Sequence, residues 1–151
     1  MASRAAAEKA FQSVENVLGG KGVLGVKPYS SLDWVGMIRE GIPAAAVESV
    51  LSAVHVSRSE LAQALGIPER TLARRKREGV LNSEESSKLL RLARVVSRAN
   101  EVFDDAASAF NWLKSPNVAL RGNVPLSLLD TDIGTESVLD ALGRIEHGVF
   151  A

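Results

Sequence analysis

Apolar residues recur every three to four positions through most of the chain, which is the spacing of amphipathic α-helices. Leu89, Leu92 and Val96 follow this spacing and predict one long helix over residues 82–103. Strand-like alternation of apolar and polar residues does not persist for long. The predicted helices span residues 1–18, 30–41, 43–54, 57–65, 68–78, 82–103, 106–113, 125–129 and 135–146.

Glycine, proline and capping residues separate these helices. The segment Gly19–Gly25 is predicted to be a flexible joint that Pro28 closes. Ser57 with Glu60 has the form of a capping box, in which each side chain satisfies a free backbone N–H at the start of a helix. Near the end, Gly134 is predicted to break the chain and Thr135 to cap the last helix.

The composition favours an all-α fold and excludes several kinds of site. Among the 151 residues, 20 are alanine and 18 are leucine, whereas aromatic residues make up 5%. Cysteine is absent and the two histidines, His55 and His147, are far apart, so we expect no metal site, no cofactor and no enzymatic activity. No apolar run is long enough to cross a membrane and the N-terminus lacks the apolar core of a secretory signal. We therefore expect a cytoplasmic protein that does not associate with membranes.

The net charge of zero conceals a strong division along the chain. Residues 58–98 contain ten Lys and Arg against five acidic residues, whereas residues 99–151 contain three against eight. A basic middle and an acidic end predict two surfaces with different partners.

The basic middle has the pattern of a helix-turn-helix over residues 58–78. Gly66 supplies the backbone freedom that a sharp turn needs, and Ala62 is small enough for two helices to cross closely. The second helix then presents its polar side to nucleic acid, with residues near its start at base edges and later cations at phosphates. The candidate DNA-binding residues are Arg70, Thr71, Arg74, Arg75 and Arg77.

Two other basic features have alternative interpretations. The run Arg74–Arg77 is also compatible with a simple solvated helix face, and an apolar residue is more usual near Arg75, whose aliphatic stem would pack. The stripe Arg91, Arg94 and Arg98 is expected to be an exposed face, with contact to the DNA backbone as the alternative. Because helix-turn-helix proteins usually bind two half-sites, we also expect a homodimer.

These elements suggest four regions. Residues 1–29 form an N-terminal helix and a glycine-rich segment, and residues 30–81 form a helical domain that contains the helix-turn-helix. A long helix over 82–105 connects this domain to a small C-terminal helical module over 106–151.

The middle and the end together resemble the Xre/ParS-type antitoxins of bacterial type II toxin–antitoxin pairs. The resemblance covers about residues 40–150, and its most specific part is the spacing from Trp112-Leu113 through Pro116-Asn117 to Gly122 and Pro125. The chain departs from the pattern at Arg121, where the family often has glycine.

This resemblance implies a two-part, non-enzymatic antitoxin. Its helix-turn-helix would bind operator DNA as a dimer and repress its own operon, while the C-terminal module would neutralise a RES-domain toxin that consumes NAD. A cationic, pyrophosphate-accepting cleft on such a toxin suits the acidic C-terminal segment. The candidate toxin-binding residues are Arg121, Arg144, Glu146, His147, Val149, Phe150 and Ala151.

Two alternatives remain. The tail from Glu146 to Ala151 either lies over the toxin's pocket or covers the protein's own core. The alternative to an antitoxin is a stand-alone transcriptional regulator whose C-terminal part serves dimerisation.

Overall fold

A computed structural model describes residues 13–148, and over this range the chain is built from helices without any strand. Residues 13–17 are helical and are followed by eight α-helices and two 3-10 helices. The α-helices are α1 (Lys21–Leu24), α2 (Ser31–Glu40), α3 (Ala45–Val54), α4 (Arg58–Leu65), α5 (Glu69–Glu78), α6 (Ser83–Phe103), α7 (Ala106–Lys114) and α8 (Asp132–Glu146). The 3-10 helices span Val118–Leu120 and Pro125–Leu128. The all-α prediction is confirmed.

Part of the glycine-rich segment, which the sequence predicts to be a flexible joint, forms a short helix. Four of its residues form α1, between Gly20 and Gly25, which both have positive φ angles. Leu24 anchors the short helix because its side chain is buried in the core. The predicted helix over 1–18 falls partly on residues 1–12, which lie outside the described residues.

Capping boxes fix where three of the helices begin. Ser30 and Asp33 form one before α2, Ser57 and Glu60 one before α4, and Asn82 and Glu85 one before α6. Each pair satisfies two backbone N–H groups that have no partner within the helix. The starts of these helices are therefore determined locally, by residues three positions apart.

The long helix α6 is the centre of the fold. Both α7 and α8 pack along it, and α2, α3 and α4 pack on it from the other end of the chain. Its apolar face is fully buried, with Leu89, Ala93 and Val95 at 0% exposure. A single hydrophobic cluster runs from Val14 to Leu142, so the N-terminal and C-terminal parts share one core.

The last helix begins earlier than the sequence suggests. Thr131, and not Thr135, is its N-cap: the Thr131 hydroxyl accepts a hydrogen bond from the backbone N–H of Gly134 at 2.9 Å. Gly134 does not break the chain but lies in the first turn of α8. A side chain does not fit at this position, because a Cβ there would lie 2.0 Å from the Leu128 carbonyl oxygen. The prediction of a break followed by a cap at Thr135 is therefore wrong by about one turn.

In residues 13–148 no helix combines the length and hydropathy that crossing a bilayer requires. Over these residues the acidic and histidine side chains do not form a group of three or more that could hold a metal ion.

Candidate functional site

The helices α4 and α5 form a helix-turn-helix, as the sequence predicts. The turn between them depends on Gly66, which has φ 68 and ψ 33 and lies in the left-handed region that favours glycine. The N–H of Ile67 then donates to the carbonyl of Ala62 at 3.0 Å, which satisfies the end of α4. Pro68 immediately precedes the first turn of α5, where the backbone N–H that proline lacks would have no partner within the helix.

Apolar side chains hold α4 against the body of the protein and leave α5 on the outside. Leu61, Leu65 and Ile67 are at most 4% exposed, whereas α5 contains no buried residue. Leu72 is the apolar contact of α5 with the core. The helix is therefore attached along one narrow edge and presents most of its surface to the outside.

The exposed surface of α5 carries three accessible guanidinium groups. Arg70, Arg74 and Arg77 are all exposed, and Thr71 between them is half-buried. Arg74 makes only a long contact of 3.6 Å with Glu78 one turn away, and its side chain remains 53% exposed. Ion pairs of this exposed kind contribute little and are easily exchanged for other partners. These groups are therefore available to contact a polyanion.

Arg75 has a different environment from the other arginines of α5. Its Nε donates to Glu85 at 2.7 Å, its Nη1 contacts Glu78 at 2.9 Å, and its side chain is only 19% exposed. Burial alone raises the pKa of Glu85, but the hydrogen bonds from Arg75 and from the Asn82 N–H outweigh it and lower the pKa. The hydrogen bond to Glu85 also raises the pKa of Arg75. Arg75 thus joins α5 to the start of α6 and is not free to read a base.

A second ion cluster lies in the groove between α3 and α5. The guanidinium of Arg58 donates to both carboxylate oxygens of Glu48, at 2.6 and 2.9 Å, and the Lys76 ammonium lies 3.4 Å from the same carboxylate. The hydrogen bond from Arg58 is the main cause that lowers the pKa of Glu48. The groove has a volume of about 620 Å³ and also borders Arg70 and Arg77. Sequence reasoning missed Glu48 because its partners are 10 and 28 positions away and no local pattern joins them.

The basic stripe on α6 is not a free exposed face, so the expectation for it is wrong for two of its three members. Arg91 forms an ion pair with Asp132 at the start of α8. Arg98 donates to both carboxylate oxygens of Glu146 at the end of α8, at 2.7 and 2.8 Å. The stripe therefore fastens both ends of α8 to the central helix, and only Arg94 is exposed.

The C-terminal part contacts the helix-turn-helix directly. The 3-10 helix Pro125–Leu128 packs on α4, and the Lys114 ammonium lies 3.4 Å from the Glu60 carboxylate of the capping box. A Cβ at Gly66 would lie 3.6 Å from the Cβ of Asp130, so the turn itself meets the C-terminal part. The two surfaces predicted from the charge pattern therefore lie on parts of the chain that pack against each other.

Comparison with known families divides the chain inside α6. Residues 33–94 match the family described as the Antitoxin Xre-like helix-turn-helix domain. Residues 98–148 match the family described as the Antitoxin Xre/MbcA/ParS C-terminal toxin-binding domain.

Curated relatives agree with both matches. The protein named Antitoxin Xre of Yersinia enterocolitica is 35% identical over 119 residues, which cover 78% of this chain and 80% of that protein. The chain belongs to the Xre antitoxin family. Antitoxin Xre of Photorhabdus laumondii is 31% identical over 117 residues, covering 76% of this chain and 79% of the relative. The Prs ADP-ribosylating antitoxin of a Sphingobium species is 29% identical over 132 residues, covering 81% and 83%.

For this Xre family member, the predicted toxin-binding residues fall into three groups. Arg121, Arg144 and His147 are exposed in the toxin-binding domain. Glu146 is held by Arg98, and this hydrogen bond is the main cause that lowers its pKa. Val149, Phe150 and Ala151 lie outside the described residues.

Proposed function

We propose that this antitoxin represses its own operon by placing α5 in the major groove of operator DNA. The observation that carries this proposal is that α5 has no buried residue and exposes Arg70, Arg74 and Arg77 in a helix-turn-helix. Arg70, Thr71 and Arg74 face the DNA and contact base edges, and Arg77 contacts phosphate. Arg75 acts through position: its pair with Glu85 fixes the angle of α5 on the body.

The experiment measures binding to the promoter DNA of the protein's own operon. Arg74→Ala should weaken operator binding by about tenfold to a hundredfold, because a bidentate contact to guanine contributes about 1–3 kcal/mol. Arg39→Ala is the matched control, since it removes an exposed arginine from α2, outside the helix-turn-helix. Affinity should also fall linearly on a log–log plot against salt. Equal affinities for wild type and the Arg70→Ala/Arg74→Ala double variant contradict the assignment.

A homodimer fits this mode of binding. One copy supplies a single exposed reading helix in the described part of the chain, and a helix-turn-helix dimer places two such helices about 34 Å apart. Footprinting should then show two half-sites separated by about one turn of DNA, and sedimentation should show a dimer. A single protected half-site would contradict the dimer.

The toxin partner that suits this antitoxin is a RES-domain protein that consumes NAD. The toxin-binding domain is acidic, and Glu136 and Asp140 lie exposed one turn apart on α8 without ion-pair partners among residues 13–148. A site that accepts the pyrophosphate of NAD is cationic, and complementary charge speeds association. The name of the similar Sphingobium protein, Prs ADP-ribosylating antitoxin, links that antitoxin to ADP-ribosylation, a reaction that consumes NAD.

We further propose that the end of α8 and the tail make the inhibitory contact. Arg144 and His147 lie exposed at the end of α8, beside the Arg98–Glu146 pair, and residues 149–151 follow them in the sequence. Deleting residues 147–151 should abolish neutralisation and leave operator binding unchanged. Neutralisation that survives the deletion rules out the tail as the inhibitor.

The partner is tested by purification and by an NAD assay. The adjacent gene product should co-purify with this chain, should lower NAD when alone, and should leave NAD unchanged when the antitoxin is present at equal amount. A protein that binds its operator while no adjacent product co-purifies is instead a stand-alone regulator. Co-purification with a partner that does not affect NAD refutes the RES assignment alone.

A further inference from the structure

The turn Asn117–Asn123 exposes the most accessible large apolar side chain in the described part of the chain. Val118 is 89% exposed, more than any of the other exposed large apolar residues. The turn joins α7 to the second 3-10 helix, and its own 3-10 helix packs against α8. A valine so exposed gains nothing from folding, since its apolar surface stays in water. Its apolar surface is therefore free to be covered by a partner.

Hydrogen bonds make this turn rigid. The side-chain oxygen of Asn117 accepts from the N–H of Ala119 at 2.8 Å, and the backbone of Asn117 pairs with Asn123 at 3.1 Å. The Asn123 side-chain amide donates to the Leu120 carbonyl at 2.8 Å, and Leu120 is buried beneath the turn. Val118 is thus held in one place before any partner arrives, which lowers the entropic cost of docking.

Arg121 lies three positions further along the same turn in a strained conformation. Its φ of 56° and ψ of 35° are in the left-handed region, which favours glycine and is unfavourable for an arginine. The side chain is exposed and forms no ion pair with any residue in the range 13–148. Strain at a position whose side chain does nothing for the fold is typical of a residue kept for binding.

We propose that the turn Asn117–Asn123 is a preformed docking element for the toxin, separate from the inhibitory tail. Val118 enters an apolar pocket on the toxin, and Arg121 pairs with a carboxylate at the rim of that pocket. The inference rests on the proposed function in one respect, namely that the C-terminal domain binds a toxin. It assigns to the turn the recognition of one toxin among others, since an apolar anchor with a cation beside it rejects a partner that lacks the matching carboxylate.

The position of the turn selects the toxin over a second copy of the chain as its occupant. Val118 and Arg121 both lie within residues 98–148, which match the family's toxin-binding domain. Of the other strongly exposed apolar residues, Ile133 also lies in this domain, on α8, whereas Tyr29 and Leu32 lie next to α2 or on it, in the N-terminal part. Arg121 makes the turn cationic in a domain that is otherwise acidic. The turn therefore offers the toxin a positive charge, whereas the contact proposed for α8 offers negative charges.

Titration calorimetry of the purified full-length antitoxin with the co-purifying toxin tests the docking element. Val118→Asp should weaken toxin binding at least about thirtyfold, as expected for a central apolar anchor. Leu32→Asp is the matched control, because it makes the same change at a side chain that is 77% exposed but lies on α2. It should bind the toxin as wild type does. Equal affinities of Val118→Asp and wild type overturn the inference.

Arg121→Gly separates recognition from folding. Glycine adopts the observed backbone without strain, so this variant should unfold at the same temperature as wild type or higher. Toxin affinity should nevertheless fall about fivefold to tenfold with the loss of a rim ion pair. An unchanged affinity overturns the role of Arg121, and a dimer that dissociates in Val118→Asp shows that the turn contacts a second copy. If wild-type antitoxin binds no toxin at all, the result contradicts the proposed function itself. It is thereby distinguished from a failure of the turn Asn117–Asn123 as the docking element.

Discussion

The buried hydroxyl of Ser86 provides the sharpest test of how the helix-turn-helix is held in place. Ser86 is 0% exposed, and its Oγ accepts the backbone N–H of Ile42 at 2.8 Å. Ile42 is also 0% exposed, so no water can replace the hydroxyl if it is removed. The carbonyl of Ile42 in turn accepts a hydrogen bond from the N–H of Leu81, just after α5 ends, at 3.0 Å. The Ser86 hydroxyl therefore fixes the backbone at Ile42, between α2 and α3, and this backbone pairs in turn with Leu81 after the end of α5.

Ser86→Ala should lower the free energy of unfolding by about 2 kcal/mol. An unsatisfied buried donor costs about 1–3 kcal/mol, and the small cavity left by one oxygen adds little. For a chain of this length the change corresponds to a fall of about 4–8 °C in the melting temperature. The loss should appear in urea denaturation as a lower midpoint with an unchanged slope.

The adjacent residue supplies the control for this prediction. Ser87 is exposed on the same helix, so Ser87→Ala should change the free energy of unfolding by no more than about 0.5 kcal/mol. If Ser86→Ala is as stable as Ser87→Ala, the Ile42 N–H has another partner and the reasoning is refuted.

Three further predictions concern acid stability and the last helix. Because the folded-state pKa of Glu85 lies below its ordinary value of 4.5, its contribution is complete above that value and is lost as the pH falls through the lowered pKa. The stability gap between wild type and Glu85→Gln should therefore be present at neutral pH and close in acid, and a constant gap contradicts the Arg75–Glu85 pair. Gly134→Ala should destabilise the protein by about 1–3 kcal/mol, since its Cβ would meet the Leu128 carbonyl oxygen. Gly143→Ala in the same helix meets nothing within 4 Å and should stabilise it by about 1 kcal/mol; the opposite order in thermal melts would refute the packing at the start of α8.

The parts of the fold that depend on neighbours in sequence could be predicted from the sequence. Ser57 and Glu60 are three positions apart, so their capping box is visible without any knowledge of the fold. Gly66 is likewise predictable, because only a turn with positive φ explains a glycine between two short amphipathic helices. The accessibility of Arg70 and Arg74 followed from these elements.

The parts that depend on distant contacts could not be predicted. Thr131 and Thr135 are both plausible caps, and only the close approach of the Leu128 carbonyl to Gly134 decides between them. The pairs of Arg91 and Arg98 join residues 41 and 48 positions apart, which no periodicity reveals. The roles of Glu48 and Glu85 were missed for the same reason, since the local sequence around an acidic helix residue is the same whether its carboxylate is solvated or paired.

The continuous core around α6 has a consequence for how this antitoxin is removed. The two family domains meet between residues 94 and 98, in the middle of a helix whose buried face serves both, so neither domain keeps its apolar contacts when the other opens. Opening of either domain then exposes part of the core of the other. A protease that captures one half therefore removes the packing of the other, so that the helix-turn-helix and the toxin-binding domain are lost together.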